Sequence, residues 1–255
     1  MLNFDAVIFD MDGVITKTAV VHSLAWKKMF DEYLHYSEET YHEPFKEFTH
    51  VDDYLPFVDG RPRYQGVDRF LKSRGINIPF GEVSDEPGKE TVSGLGNRKN
   101  EVFNKVLEDD GVELYDSTIK LVKELLANGI KVGVATSSKN CDIILGKAGI
   151  QNLFETQVDG IVSAKLGLNG KPEPDIFTTA ADNLGVRYDR AVVVEDAVSG
   201  VQAGAKGNFG LVIGVAREDN EHELKNNGAD IVVTDLSEIN IEDIDKFLLA
   251  KQTKK

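Results

Sequence analysis

Asp10 follows the apolar run Ala6-Val7-Ile8-Phe9 directly, and Asp12, two residues on, stands directly before Gly13. Residues two apart on extended chain project to one side, and glycine lets the backbone turn away at once, so both carboxyl groups can serve one small site. An isolated pair of this kind also makes an ordinary turn. Other apolar runs, however, end in complementary groups. Thr136, after Val132-Gly133-Val134-Ala135, offers a hydroxyl and neighbouring amides to a phosphate oxygen, or caps a helix, which Ser137 or Ser138 can do in its place. Lys171 offers an ammonium on a backbone stiffened by Pro172 and Pro174. Glu195 and Asp196 close the run Ala191-Val192-Val193-Val194, where acids are costly unless a cation or hydrogen bonds compensate them; a magnesium ion (Mg2+) would do so.

This set could perform phosphoryl transfer. A carboxylate attacking an anionic phosphate is repelled, and a metal and a lysine offset the repulsion. Each contact that strengthens in the transition state is worth about 3 kcal/mol, so several must act together. A carboxylate nucleophile divides one hard step into two, and Asp12 is the acid available to the leaving oxygen.

The runs that carry these groups need a scaffold. Residues 5–9, 130–135, 191–195, 211–215 and 230–234 are rich in valine, isoleucine and alanine, as strands buried on both faces require. Helical spacing over 117–128, 173–184, 198–207 and 219–227 alternates with the later strands, which predicts a doubly wound α/β fold with a parallel sheet. After the first strand roughly a hundred residues intervene that read as helices: 17–35, 64–75 and 99–108. They predict an α-helical domain, residues 17–113, inserted into a core made of residues 1–16 and 114–255. Residues 82–98, poor in large apolar groups, are expected to form a loop, either mobile or facing the substrate. The tail KQTKK after Ala250 is expected to be solvated.

With 43 acidic against 29 basic residues the net charge is −14, which argues against nucleic-acid or anionic-membrane surfaces and for small diffusible ligands. The single cysteine, Cys141, permits no internal disulfide and is expected to be a packed residue without catalytic role. The first residues, MLNFDAVIFD, carry no basic leader or long apolar stretch, so a cytoplasmic, monomeric protein is expected.

In its ordered motifs across residues 7–196 the chain resembles the phosphoryl-transfer branch of the haloacid dehalogenase superfamily, built on a Rossmann-like core. The resemblance implies that Asp10 forms an aspartyl-phosphate and Asp12 is the general acid and base. Magnesium would be held by Asp10, the Asp12 main-chain carbonyl and Asp196, with Glu195 close by or acting through water, while Thr136 and Lys171 bind phosphoryl oxygens. The segment GVITKTAVVHSLAWKKMF is similar to the β-phosphoglucomutase type, with Thr18, His22 and Trp26 at matching spacing, and Lys17 where that type commonly has an aspartate. His22 is read either as a hinge residue linking cap closure to Asp12 or as a helix-face histidine packing by its ring, and Trp26 as cap core. RKN at 98–100 and SSKN at 137–140 also match, which implies substrate-binding roles for Lys99, Ser137, Ser138, Lys139 and Asn140 beside Thr18 and His22. Arg61 and Arg63 are candidates for a distal phosphate, in a segment that departs from the mutase pattern.

The expectation is a hydrolase or phosphotransferase acting on a small phosphorylated sugar, with a true β-phosphoglucomutase as the alternative. Which acceptor reaches the phosphorus, water or sugar, depends on cap closure. A receiver-type signalling domain carries its acceptor on a middle strand of a shorter chain, and a silent sugar-phosphate binder is expected to lack one of the aspartates.

Overall fold

The computed structural model describes residues 2–42, 44–109 and 111–253. In chain order it contains β1 (Ala6–Phe9), α1 (Thr18–Tyr41), α2 (Leu55–Phe57), α3 (Arg63–Ser73), α4 (Val92–Asp109), α5 (Asp116–Ala127), β2 (Lys131–Ala135), α6 (Cys141–Lys147), β3 (Thr156–Val158), α7 (Gly160–Leu166), α8 (Asp175–Leu184), β4 (Ala191–Glu195), α9 (Val198–Lys206), β5 (Leu211–Val215), α10 (Glu221–Asn226), β6 (Ile231–Val233) and α11 (Ile241–Gln252). The chain divides into two compact units, Met1–Lys17 with Val112–Lys255, and Thr18–Gly111. Among the described residues no helix is long and apolar enough to cross a membrane.

The first unit holds a parallel sheet in the order β3-β2-β1-β4-β5-β6. β1 lies between β2 and β4, with Phe9 abreast of Val134 and of Val194. Every residue of β1, β4 and β5 is buried, and this two-sided burial produces unbroken apolar runs in place of alternation. Helices cover the sheet, α8 and α9 packing Phe177, Leu184 and Val201 against Ile8 and Val193. The fold is thus the doubly wound α/β fold. β3 is an additional edge strand whose sequence, Thr-Gln-Val, contains no apolar run.

The tail departs from expectation at Lys251 alone, while Gln252 and Thr253 are exposed. α11 continues to Gln252, and Lys251 donates to Asp230 Oδ2 at 2.6 Å and to the Phe209 carbonyl at 3.1 Å, so this lysine fastens the helix to the sheet. Lys254 and Lys255 lie outside the described residues.

The second unit is helical. Trp26, Met29 and Phe30 of α1, Phe70 and Leu71 of α3, and Val92 and Leu95 of α4 form its core with Phe48. Phe30, Phe48 and Phe70 meet with ring centroids 4.1 to 5.0 Å apart. Residues 82–98 are not a continuous loop, because α4 begins at Val92. Its start is set by Thr91, whose hydroxyl accepts from the Gly94 amide at 3.0 Å and donates to the buried Asp85 at 2.8 Å. The glycines that disguise this helix permit close contact: a Cβ on Gly96 would lie 2.7 Å from the Tyr64 ring, and one on Gly94 would lie 2.3 Å from the Lys89 carbonyl.

Candidate active site

The strand register gathers the chemistry at one edge of the first unit. Asp10 continues β1, its amide donating to the Val194 carbonyl at 2.9 Å, and Thr136 continues β2, its amide donating to Val158 at 3.0 Å. Asp10, Thr136, Lys171 and Glu195 are all buried. The Lys171 ammonium, 1% exposed, donates to Asp10 Oδ1 at 2.5 Å and to Glu195 Oε1. It also lies 5.0 Å from the Phe177 ring centroid. The other Glu195 oxygen accepts from the Ala197 amide at 2.6 Å. Both Glu195 oxygens are therefore hydrogen-bonded, one of them to Lys171, and each keeps a lone pair.

Two glycines admit these acids. A Cβ on Gly13, whose φ is +84°, would fall 1.8 Å from Asp196 Oδ2, and a Cβ on Gly200 would fall 1.7 Å from Glu195 Oε1. Sequence reading missed Gly200, whose contact depends on the first turn of α9 folding back over the tip of β4. It also missed Arg217, which follows β5 and donates its Nε to the Gly13 carbonyl at 2.9 Å. An arginine directly after a strand was the available signal.

The carboxylates Asp10, Asp12, Glu195 and Asp196 outnumber the ammonium of Lys171. Burial pushes the Asp10 carboxyl well above the usual carboxylate range, with Glu195 and Asp12 adding to the rise against the pull of Lys171. Burial opposes the charge on Lys171 too, but Asp10 and Glu195 overcome it and hold the ammonium above the ordinary lysine range. The Cys141 thiol is pushed up by burial and nearby carboxylates, which keeps it protonated.

No group of three or more His, Cys, Asp or Glu among the described residues forms a ready metal cage. The donors nevertheless suit a hard cation: the Asp196 carboxylate occupies the space a Cβ on Gly13 would fill, beside the Asp10–Asp12 loop. Magnesium usually takes one or two carboxylates and completes its shell with water and phosphate oxygens, so a full protein cage is not required.

The loop after β2 is arranged by its own side chains. Thr136 Oγ1 accepts from the Ser138 amide at 3.1 Å and Ser138 Oγ from the Asn140 amide at 3.2 Å, so neither hydroxyl caps α6. The half-buried Ser137, Ser138 and Lys139 lie between the buried Thr136 and Asn140. A Cβ on Gly160 would meet the Ser137 carbonyl at 2.6 Å, which keeps this loop against the start of α7.

The remaining candidates belong to the helical unit. Thr18 opens α1 and is buried. The His22 ring stacks on Phe103 with centroids 3.9 Å apart, and the buried Lys99 bonds His22 Nδ1. The Lys99 ammonium lies over Trp26 and Phe103, 5.1 and 4.6 Å from the ring centroids. His22 packs by its ring while joining a polar pair. Arg63 Nη2 donates to Asn100 Oδ1 at 2.7 Å, so Arg63 and Lys99 converge on one stretch of α4. Arg61 lies partly buried before α3, and burial lowers the pKa of its guanidinium.

A family model for the haloacid dehalogenase-like hydrolases matches residues 4–208. The chain belongs to this family. The hydrolase is 44% identical over 237 residues to a protein named β-phosphoglucomutase from Mycobacterium tuberculosis, covering 92% of this chain and 90% of that one. It is 34% identical to the β-phosphoglucomutase of Bacillus subtilis, covering 93% and 92%. Its structure resembles that of β-phosphoglucomutase from Clostridium difficile with a TM-score of 0.77 at 26% identity, covering 98% and 99%. It is an enzyme of the phosphatase and phosphomutase kind within this family.

Proposed function

We propose that the protein transfers a phosphoryl group on a small phosphorylated sugar, through an aspartyl-phosphate on Asp10, with a dependence on magnesium. The observation that carries this reading is the convergence of Asp10, Glu195 and Asp196 at the tips of the adjacent strands β1 and β4 with Lys171, which reaches them from the loop between α7 and α8. In the first half-reaction an Asp10 carboxylate oxygen bonds to phosphorus as the phosphorus–oxygen ester bond breaks, and Asp12 gives its proton to the leaving oxygen. In the second half, the acceptor hydroxyl returns a proton to Asp12 and attacks phosphorus, restoring the Asp10 carboxylate. Lys171, with Thr136, binds phosphoryl oxygens. Magnesium, held by Asp10, Asp196 and the Asp12 carbonyl, would neutralise charge on the transferring group.

The helical unit acts in this reading as a cap, with Lys99, Arg63, His22 and Thr18 binding the sugar phosphate. The similarity to named β-phosphoglucomutases favours interconversion of β-glucose 1-phosphate and glucose 6-phosphate. Lys17 favours the hydrolytic alternative: it is exposed, ion-pairs with Glu113 at 3.1 Å, and replaces the aspartate common in mutases. Incubation with β-glucose 1-phosphate, magnesium and a glucose bisphosphate primer, followed by phosphorus NMR, separates the outcomes. Glucose 6-phosphate identifies a mutase and orthophosphate a phosphatase; absence of both products refutes the proposal.

A further inference from the structure

The loop that carries the two aspartates is closed internally at its ends. The Met11 carbonyl accepts from the amides of Ile15 and Thr16, both at 2.9 Å, and the Gly13 amide donates to the Thr16 carbonyl at 2.8 Å. Three successive carbonyls then point outward, and each has a partner. Val14 accepts from the buried Thr118 hydroxyl at 2.7 Å, Ile15 from the Tyr115 amide at 3.0 Å, and Gly13 from Arg217 Nε at 2.9 Å. Two of these partners come from the start of α5; the third comes from the end of β5 and is charged.

Arg217 is itself aimed from several sides. Its Nη1 donates to the Thr234 carbonyl at 2.9 Å and lies 3.5 Å from Asp235 Oδ2, while its guanidinium lies 3.7 Å from the Tyr115 ring centroid. Asp235 also accepts from Ser117 Oγ at 2.9 Å, closing a frame between α5 and the chain after β6. A planar guanidinium can bridge two carbonyls and stack on a ring at once; an ammonium has no such plane.

We propose that Arg217 is a positioning residue for the phosphoryl transfer, fixing the Asp10–Asp12 loop through the Gly13 carbonyl and so setting its distance from Asp196. The link is direct, because Gly13 is also the residue against which the Asp196 carboxylate packs. Releasing its carbonyl lets the loop move relative to Asp196 while leaving residues of the helical unit untouched. A misplacement on the order of 1 Å reduces rate about 100-fold. The proposal rests on the functional reading above, and its test is arranged to fail separately from that reading.

The test compares wild type with Arg217→Met, which keeps the stem, with Arg217→Lys, and with Arg187→Met at an exposed ion pair as control. Two measurements are made on the full chain: steady-state turnover of β-glucose 1-phosphate with magnesium, and hydrogen exchange of a peptide spanning residues 10–16 in metal-free protein. For Arg217→Met we expect faster exchange in that peptide, kcat lower by about 10- to 100-fold and KM within about threefold of wild type. Arg217→Lys should recover part of the loss and Arg187→Met should match wild type. Unchanged exchange, or kcat within threefold of wild type, would overturn the proposal, as would a fall in apparent kcat that merely follows the folded fraction. If Arg217→Met does not fold, full wild-type kcat in Arg217→Lys overturns it equally. If wild type turns over no sugar phosphate, the functional reading fails, and the exchange measurement still decides whether Arg217 holds the loop.

Discussion

Replacing Gly13 by alanine perturbs the site in two separable ways, and Gly129 provides the control. Both glycines have positive φ, +84° and +75°, but a Cβ on Gly129 would meet nothing within 4 Å, whereas one on Gly13 would lie 1.8 Å from Asp196 Oδ2. An L-residue in this backbone region costs about 1 kcal/mol at either position. The carboxylate of Asp196 must additionally retreat by roughly 1.5 Å to reach an ordinary nonbonded separation. Displacement on that scale at a reacting centre costs about two decades in rate, or about 2.7 kcal/mol of barrier. Gly129→Ala should therefore lose about 1 kcal/mol in urea unfolding and keep its turnover. Gly13→Ala should lose at least that much and about 100-fold in kcat, with more magnesium needed for half-maximal rate. The assay is turnover of β-glucose 1-phosphate across a magnesium titration, at protein concentrations corrected for the folded fraction. Turnover of Gly13→Ala within tenfold of Gly129→Ala would refute the argument that Asp196 acts from this position.

Asp10→Asn should abolish turnover yet raise the thermal midpoint of metal-free protein at neutral pH. A carboxyl whose pKa is raised on folding loses stability as pH climbs from its unfolded value, 3.8, through its folded one, and the amide removes that loss; a lower midpoint would contradict it. Asp235 has the opposite sign: against burial, hydrogen bonds from Ser237 and Ser117 and the charge of Arg217 hold its carboxyl below the usual range. Its stabilisation is complete above the ordinary carboxylate value and is lost as pH falls through the lowered one. The stability gap between wild type and Asp235→Asn, about 0.5 kcal/mol, should accordingly be present at neutral pH and vanish in acid, as followed by urea unfolding across pH. Gly96→Ala should destabilise the helical unit by about 1 to 3 kcal/mol despite alanine's better helix propensity, since its methyl enters the Tyr64 ring; a gain in thermal midpoint would show that the ring yields.

The sheet was legible where two-sided burial writes continuous apolar runs: β4 and β5 coincide with the expected segments 191–195 and 211–215. It was not legible at β3, a short edge strand in which Thr156 and Gln157 are polar and half-buried and only Val158 is apolar and buried. The first turns of α4 were hidden because Gly94 and Gly96 read as loop residues, while their reason for being there is the approach of Lys89 and Tyr64. The gathering of Asp10 and Glu195 was readable from strand ends, since a parallel sheet aligns its carboxyl edges, whereas Lys171 joins them from the loop between α7 and α8, which no strand end places. Which group Glu195 serves was not readable, nor was the arginine that reaches Gly13 from 204 residues away, because both depend on packing and not on local pattern.

The commitment of Glu195 to Lys171 gives the proposed mechanism a physical economy. When Asp10 becomes an acyl phosphate its carboxylate charge moves outward onto the phosphoryl oxygens, and a lysine held by Asp10 alone would lose its anchor at that moment. Glu195 takes no part in bond making or breaking and keeps its hydrogen bonds to Lys171 and to the Ala197 amide. The ammonium can thus face a carboxylate in the resting enzyme and phosphoryl oxygens in the intermediate without being repositioned, which avoids reorganisation during the reaction. Gly200 is the condition for this, because a side chain there would occupy the space of Glu195 Oε1, the oxygen that holds the lysine.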